Sequence, residues 1–261
     1  MTHGKFIVID GSDGSGKKTQ SDLLIESLRS EGRDVVFYDF PQYYNTFFGK
    51  MVGEFLTGKF GAPQNVDPYV ASLLYAGDRW QASPKIRADL EAGKIVISNR
   101  YTSSNMAHQA GKIKNKKKKE EYLDWLDELE FKIYGIPRPD LVLYLYVPFN
   151  VTLDLLESKE KRNYVGKKAK DGVEADQNYL KNSIKEYLRL TDKYPNWQKV
   201  DCTKADKLLT IEEIHEKVYK TVCSEIETII EKVEAGVEEI ISEISPKELA
   251  CEPAINELEA R

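Results

Sequence analysis

The chain has 261 residues, of which 41% are hydrophobic, and it carries a formal net charge of −5. This length and apolar content can bury a substantial core, which excludes a largely disordered protein and allows one large α/β domain or two small ones. The apolar run in the first ten residues is too short for a secretory leader or a membrane span, so we expect a cytoplasmic protein that does not act in a membrane.

The charge is unevenly distributed along the chain. From Glu212 onward there are 14 acidic and 5 basic residues, whereas residues 1–211 hold 29 acidic and 33 basic residues and are mildly positive. A positive domain suits a small anionic substrate. The basic run at residues 114–119 could indicate a nucleic-acid site, but no aromatic residues interleave with it to stack on bases. We therefore predict a solvated loop there and no nucleic-acid partner.

Short β-rich runs alternate with amphipathic segments along most of the chain. The β-rich runs lie at residues 5–10, 34–39, 95–99, 141–147 and 198–201. The segments between them have helical patterns, which are clearest at residues 17–31, 69–82, 120–134, 151–158 and 178–194. Such alternation predicts an α/β fold with a parallel five-stranded sheet flanked by helices.

Two segments differ from this alternation. Residues 159–176 are polar, rich in Lys and Gly, and follow a strand and a helix, which is typical of a mobile lid. Residues 221–261 follow a domain at residues 1–220 and form an acidic extension, with an apolar stripe from Ile226 to Ile244 that predicts a long C-terminal helix ending at Pro246. The stripe either packs on its own domain or joins two copies, and we expect a homodimer.

The strongest motif follows the first β-rich run. Gly11, Gly16 and Lys17 match G-x-x-x-x-G-K between a predicted strand and a predicted helix, which is the context of a phosphate-binding loop. Backbone N–H groups there would face the β-phosphate of ATP, and Lys17 would span the β- and γ-phosphates. The predicted nucleotide-binding residues are Gly11, Ser12, Asp13, Gly14, Ser15, Gly16, Lys17, Lys18 and Thr19.

One position departs from the loop motif. The residue after the loop lysine is normally Ser or Thr, which holds Mg²⁺, and here it is Lys18. Thr19 lies about 100° further around the helix and cannot simply replace that hydroxyl. We expect ATP and Mg²⁺ as cofactors, although the metal ligands are unknown. Our hypothesis is that the Lys18 ammonium supplies part of the metal's charge near the phosphates, and the alternative is a solvated Lys18.

Four motifs together resemble the thymidylate kinase family over about residues 4–220. They are FIVIDGSDGSGKKTQ at 6–20, LLYAGDRW at 73–80, NRYTSSNMAHQ at 99–109 and RPDLVLYLYV at 138–147. The resemblance implies a P-loop NTPase fold and an enzyme that transfers the γ-phosphate of ATP to dTMP, giving dTDP for dTTP synthesis. The expected partners are therefore the small molecules ATP and dTMP.

The resemblance also implies roles for substrate residues. Asp13 falls at the carboxylate that binds the sugar 3′-hydroxyl, Tyr75 at the ring that stacks on thymine, and Arg79 at the arginine that contacts the base. An ion pair with the adjacent Asp78 is the structural alternative for Arg79. Arg100 follows a strand at the carboxyl end of the sheet, where it could clamp two phosphates. The predicted substrate-binding set is Asp13, Tyr75, Arg79, Arg100, Ser104, His108 and Gln109.

Phosphoryl transfer needs positive charge around the moving group. Gly14 supplies none, so the resemblance places the cations in the lid, with Arg162 as the first choice. The lysines behind it are Lys159, Lys161, Lys167 and Lys168. The predicted catalytic set is Lys17, Lys18, Arg100 and Arg162.

Two further departures from the family pattern leave the acceptor open. Asn99 replaces the aspartate of the family's Asp-Arg-Tyr motif, and His108 replaces a tyrosine that would crowd a 2′-hydroxyl group. The alternatives are a kinase of another pyrimidine nucleotide or deoxynucleoside, and a catalytically weak nucleotide-binding regulatory protein.

Overall fold

The structure is a computed structural model that describes the backbone of residues 4–162 and 177–243, with the side chains of residues 64, 157–162 and 228–243 left out. Its centre is a parallel sheet of five strands in the order β2-β3-β1-β4-β5. The strands are β1 (Lys5–Gly11), β2 (Val35–Asp39), β3 (Ile95–Asn99), β4 (Leu141–Tyr146) and β5 (Trp197–Asp201). The prediction of a parallel five-stranded sheet is confirmed.

Helices connect the strands. They are α1 (Lys17–Ser30), α2 (Phe47–Leu56), α3 (Pro68–Glu91), α4 (Thr102–Ala110), α5 (Lys116–Asp127), α6 (Phe149–Arg162), α7 (Gln177–Lys193) and α8 (Ile211–Glu243). A 3₁₀ turn (Pro63–Asn65), a π-helical segment (Glu128–Ile133) and a hairpin of β6 (Thr203–Lys204) and β7 (Lys207–Leu208) complete the described elements.

The core lies on both sides of the central strands. In β1, the residues from Phe6 to Ile9 are fully buried, and in β4 the residues from Leu141 to Leu145 are almost completely buried. A strand that buries both faces reads as a continuous apolar run, which is why these two strands are evident in the sequence. Because β1 and β3 are parallel neighbours, their carboxyl ends lie side by side at the same end of the sheet, where Ile9 pairs with Asn99.

The basic run at residues 114–119 was predicted to be a solvated loop, and that prediction was wrong for residues 116–119, which are helical, although most of the run is exposed as predicted. Asn115 caps α5 by accepting a hydrogen bond from the Lys118 backbone N–H at 3.0 Å, and the lysines that follow form the first turn of the helix. Lysine is a good helix former, and Lys119 donates to Glu186 of α7 at 2.5 Å. Lys119 thus links α5 to α7, whereas residues 114–118 are exposed.

The chain divides into two compact units, Met1–Lys220 and Thr221–Arg261. The first unit contains the sheet and all the predicted site residues, and the second is helical as far as Glu243. The predicted helix end at Pro246, and residues 163–176 of the predicted lid, lie outside the described residues, whereas residues 159–162 belong to α6. In the part of the chain that is described, no helix combines the length and apolar content needed to span a membrane.

Candidate active site

The phosphate-binding loop connects the end of β1 to the start of α1. Its first glycine, Gly11, packs so tightly that a Cβ atom would lie 2.8 Å from the Leu145 carbonyl oxygen. Gly16, which precedes α1, has a φ of 85°, a left-handed conformation that glycine adopts without strain. The predicted glycines therefore stand where the backbone needs them.

Lys17 lies over this loop. Its Nζ atom donates to the carbonyl oxygens of Gly11 at 3.0 Å and Ser12 at 2.9 Å, and lies 3.8 Å from the Asp13 carboxylate. The side chain is buried, with 8% of its surface exposed. Its charge is therefore held at the helix N-terminus, where the helix dipole also favours an anion.

Two hydroxyl oxygens of the loop are buried without a hydrogen-bond partner among the described residues. They belong to Ser12 and Ser15. Buried polar groups in folded proteins nearly always have a partner. A phosphate group would provide acceptors at this helix N-terminus, so the loop fits a nucleotide.

Lys18 is placed elsewhere. Its Nζ atom lies 2.5 Å from the Asp22 carboxylate, one turn along α1, and 5.2 Å from the centroid of the Phe37 ring. The side chain is 56% exposed, and Thr19 is exposed as well. The structure thus places Lys18 on the exposed side of α1, beside Asp22, and not with Lys17.

Arg100 connects the loop to the acceptor side of the site. It follows β3 directly, and its backbone has a φ of 65°, which is unusual for a residue with a side chain. Its Nη2 atom donates to the Asp13 carboxylate, and its Nη1 atom lies 3.5 Å from Nε2 of His108. Burial raises the pKa of Asp13, but the charges of Arg100 and Lys17 outweigh burial and hold that pKa well below its usual range.

His108 is neutral at pH 7. Burial and the nearby Arg100 charge lower the pKa of its imidazole to about 4. The ring stacks on Tyr179 of α7 with centroids 5.6 Å apart, and the edge of Tyr187 lies at the same distance. Its Nδ1 atom is buried without a partner in the described part of the chain, so the ring has hydrogen-bonding capacity available to a ligand.

A buried carboxylate, Asp10, fastens the loop to two helices. It accepts hydrogen bonds from the Gly11 backbone N–H at 2.8 Å, from Ser103 at 2.6 Å, from Ser104 at 2.8 Å and from the Tyr187 hydroxyl at 2.8 Å. The serines belong to α4 and Tyr187 belongs to α7. Asp10 therefore fixes both helices relative to the end of β1, and the Ser104 hydroxyl is engaged in this task.

Arg79 makes a bidentate ion pair inside the protein. Its Nε and Nη2 atoms donate to the Glu130 carboxylate at 2.6 and 2.7 Å, and its Nη1 atom donates to the Tyr101 carbonyl oxygen at 3.3 Å. The ion pair with Asp78 that the sequence left open is not formed. Asp78 instead accepts from the backbone N–H of Gln42 and from the Thr46 hydroxyl.

All seven predicted substrate-binding residues line one cavity of about 270 Å³. The cavity is bounded by the segment after β2 and by α2, α3, α4 and α7. Its other lining residues are Phe40, Pro41, Tyr43, Leu56, Asp78, Tyr101, Asn105 and Tyr179. Asp78, Tyr101 and Asn105 lie within the motifs that carried the resemblance, and Phe40 directly follows a predicted strand, but nothing in the sequence points to Tyr179.

The side chain of Arg162 lies outside the described residues, as do those of the four lid lysines. Asn99, at the end of β3, donates through Nδ2 to the Asp39 carboxylate at 2.7 Å, and its Oδ1 atom is buried without a partner in the described regions. Among the described residues, no cluster of three His, Cys, Asp or Glu side chains that could hold a metal ion is found. Mg²⁺ in proteins usually keeps several water ligands and binds through one or two carboxylates together with substrate phosphates.

Comparisons with known proteins agree with this geometry. Residues 9–218 match the thymidylate kinase family model. A probable thymidylate kinase of Thermococcus onnurineus is 32% identical over 85% of this chain and 98% of its own length. The human thymidylate kinase is 28% identical over 88% and 94%. The chain belongs to the thymidylate kinase family.

Among solved structures, the thymidylate kinase of Candida albicans is similar, with a TM-score of 0.65, 25% identity, and coverage of 85% of this chain and 92% of its own. The P-loop fold predicted from the resemblance is thereby confirmed. So is the prediction of an enzyme of this family, a kinase that phosphorylates dTMP to dTDP.

Proposed function

We propose that this protein transfers the γ-phosphate of ATP to dTMP, with the ATP phosphates on the loop at residues 11–17 and the acceptor in the cavity described above. The observation that supports this most directly is the pair formed by Asp13 and Arg100. Asp13 belongs to the loop and Arg100 lies at the cavity, so the donor and acceptor regions share one ion pair.

The lining residues suit the parts of a nucleoside monophosphate. Tyr75 supplies an aromatic face for the base, and stacking on such a face is worth about 1–3 kcal/mol. Arg79 offers N–H donors to the base, Asp13 can accept from the sugar 3′-hydroxyl, and Arg100 can bind phosphate oxygens bidentately. Gln109 adds a buried side-chain oxygen without a partner among the described residues.

In the reaction, an oxygen of the acceptor phosphate attacks the γ-phosphorus of ATP while the bond between that phosphorus and the β-bridging oxygen breaks. Negative charge spreads over the transferred group and moves to the leaving ADP. Lys17 and Arg100 hold positive charge on the donor and acceptor sides of the transfer. We propose that Arg162 adds a third cation from the lid.

Mg²⁺ would supply charge neutralisation between the β- and γ-phosphates. The residues that fit it are Asn99, through its unpartnered buried oxygen, and Asp39, through the carboxylate that Asn99 holds. Both lie at the carboxyl ends of neighbouring strands. The remaining ligands would be phosphate oxygens and water, as is common for this cation.

One observation favours a wider acceptor range as the second candidate. The neutral His108 lines the cavity with an unpartnered ring nitrogen in the described region, and it could bond an additional sugar hydroxyl. The Candida albicans structure is described as revealing the origin of broad substrate specificity in that enzyme. Other pyrimidine nucleotides are therefore included among the acceptors to be tested.

We also propose a cytoplasmic homodimer without nucleic-acid or membrane partners.

The deciding experiment is a coupled assay of ADP release with ATP and Mg²⁺, offering dTMP, dUMP, UMP, CMP and thymidine separately. We expect dTMP to be preferred. The control variant Lys17→Met removes the loop charge and should lower the rate by at least about 100-fold. Preference for another acceptor would replace dTMP, and binding of ATP without turnover of any acceptor would support the regulatory alternative.

A further inference from the structure

Glu130 is fully buried, yet it does not line the cavity. It lies in the π-helical segment that follows α5, and both of its oxygens accept hydrogen bonds from Arg79. Arg79 does line the cavity, with only 2% of its surface exposed. Glu130 can therefore influence a bound acceptor only through the arginine that it holds.

The hydrogen bonds of Arg79 fix which part of its guanidinium is available to a ligand. A guanidinium has five N–H groups in a rigid plane. Glu130 engages two of them, and the Tyr101 carbonyl oxygen engages a third at 3.3 Å. The two others, one on each terminal nitrogen, have no protein acceptor within the described residues. Because a bidentate pair sets the plane, their direction is also set.

The π-helical segment gives Glu130 its position. The segment carries backbone hydrogen bonds from Tyr134 N to Leu129 O at 2.9 Å and from Ile136 N to Glu130 O at 3.0 Å. Each residue of a regular α-helix turns the side chain by about 100°, so the wider π-helical turn changes which side chain faces Arg79. Inserted π-helical turns occur often at functional sites. Asp127, just before the segment, pairs instead with the exposed Arg138.

We propose that Glu130 is a positioning residue that fixes the two available N–H groups of Arg79 toward the acceptor base and thereby sets base selectivity. A guanidinium can only donate, so it suits a base that presents a carbonyl oxygen. A base with an amino group at that place would set donor against donor and leave both unpaired. Thymine and cytosine differ in this way at ring position 4. The proposal rests on the proposed function, and it adds a residue that does not contact the substrate.

The test compares Glu130→Gln and Glu130→Asp with the control Asp127→Asn. The control breaks an equally bidentate pair, with both distances at 2.7 Å, on the surface beside the same segment. Steady-state rates are measured with dTMP, dUMP and dCMP as acceptors. We expect the ratio of kcat/KM for dTMP over dCMP to fall at least about tenfold in both Glu130 variants, mainly through a higher KM for dTMP. The kcat/KM for dUMP should fall in the Glu130 variants as that for dTMP does, and their KM for ATP should equal that of wild type. Asp127→Asn should have the same selectivity as wild type.

Unchanged selectivity in folded Glu130 variants, or an equal loss with all three acceptors, would show a structural pair and overturn the proposal. Glu130→Gln leaves the buried Arg79 charge without its partner and can fail to fold, in which case Glu130→Asp, which keeps the charge, decides. A wild-type protein that does not phosphorylate dTMP would refute the proposed function instead. Calorimetric binding of dTMP and dCMP to wild type and Glu130→Asp would then still test the role of Glu130.

Discussion

At the residue scale, a short chain of contacts runs from the phosphate-binding loop to α7 through Asp13, Arg100 and His108. The left-handed backbone of Arg100 costs about 1–2 kcal/mol, and this conformation is part of the geometry that directs its guanidinium to Asp13. His108 then links the pair to the Tyr179 ring. A change at any of these side chains therefore alters the surroundings of the other two.

His108 makes the stability of the protein depend on pH. The unfolded chain binds a proton on this ring near the ordinary pKa of 6.5, whereas the folded protein binds it only near about 4. Between these values the unfolded state holds more protons, so acidification lowers the free energy of unfolding, by on the order of 3 kcal/mol over the full window. This part of the free energy of unfolding is fully present above pH 6.5 and is lost below pH 4.

We expect His108→Phe, which keeps a ring against Tyr179, to lose less stability than wild type between pH 6.5 and pH 4. Urea unfolding at several pH values measures the difference. His215 lies on α8, away from the cavity, where it hydrogen-bonds to Ser27 of α1, and burial lowers its pKa as well, so His215→Phe measures the separate contribution of this second ring to the same pH dependence. Parallel pH profiles for wild type and His108→Phe would contradict the assignment.

Lys18 provides a second prediction at this scale. Because its ammonium pairs with Asp22 on an exposed turn, we expect Lys18→Thr to change kcat by less than about threefold and to leave the Mg²⁺ dependence unchanged. The measurement is the rate at several Mg²⁺ concentrations, with Asp22→Asn as the control for the loss of the pair. A tenfold loss or a shifted Mg²⁺ requirement would instead support the hypothesis that Lys18 acts near the phosphates.

The seven cavity residues that we predict to bind substrate could be found in the sequence because three short motifs carry them, and each motif lies at the carboxyl end of a strand or on one helix. The positions of Glu130 and Tyr179 at the site could not be predicted in this way. They reach the site through the π-helical segment and through α7, and the sequence contains no local signal for either contact. Similarly, the loop motif does not indicate that Lys18 pairs with Asp22 one turn along α1.

At the scale of the elements, strand burial and glycine content explain which strands and helices could be predicted from the sequence. The inner strands β1, β3 and β4 are nearly continuous apolar runs because they are buried on both faces, and the bounds of all five strands agree with the prediction within about one residue. The helix α2 was not among the clear predictions because Gly49 and Gly53 lower its intrinsic propensity. Gly49 is required there, since a Cβ atom would lie 2.1 Å from the Gln42 carbonyl oxygen.

The contact between α2 and α3 depends on another glycine. A Cβ atom on Gly77 would lie 2.6 Å from the Phe48 ring. We expect Gly77→Ala to lower the free energy of unfolding by about 1–3 kcal/mol, as overpacked cores do, and to raise the KM for dTMP because Tyr75 and Arg79 lie on the same helix. Chemical denaturation and acceptor titrations measure the two effects.

Gly53→Ala is the matched control. Its Cβ atom would lie 3.5 Å from the Tyr43 ring, an ordinary contact, and alanine favours the helix by up to about 1 kcal/mol. This variant should be neutral or more stable than wild type. Equal destabilisation by both substitutions would mean that helical glycines matter here for a reason other than the Phe48 contact.

At the scale of the whole molecule, the two compact units differ in composition. The unit from Thr221 onward is strongly acidic, and its predicted apolar stripe recurs at helical spacing. We expect light scattering to give a dimer for the full chain and a monomer for a chain ending at Cys223. Ile240→Glu, within the stripe, should have the same effect as the truncation, and Glu239→Gln beside it should have none. An unchanged oligomer after truncation would assign the dimer contact to the first unit.

The strand order also determines when the sheet can form. The central strand β1 pairs with β3 through Lys5 and Ile95 and with β4 through Ile7 and Leu141, so both of its partners are distant in the chain. Contacts of such long range slow folding, because loop closure must precede the pairing that rewards it. During synthesis, the apolar β1 has no strand partner until β3 (Ile95–Asn99) has left the ribosome, and its second side stays open until β4 (Leu141–Tyr146) has followed. Unpaired apolar strands are prone to aggregate, so we expect the growing chain to be exposed to aggregation during this interval.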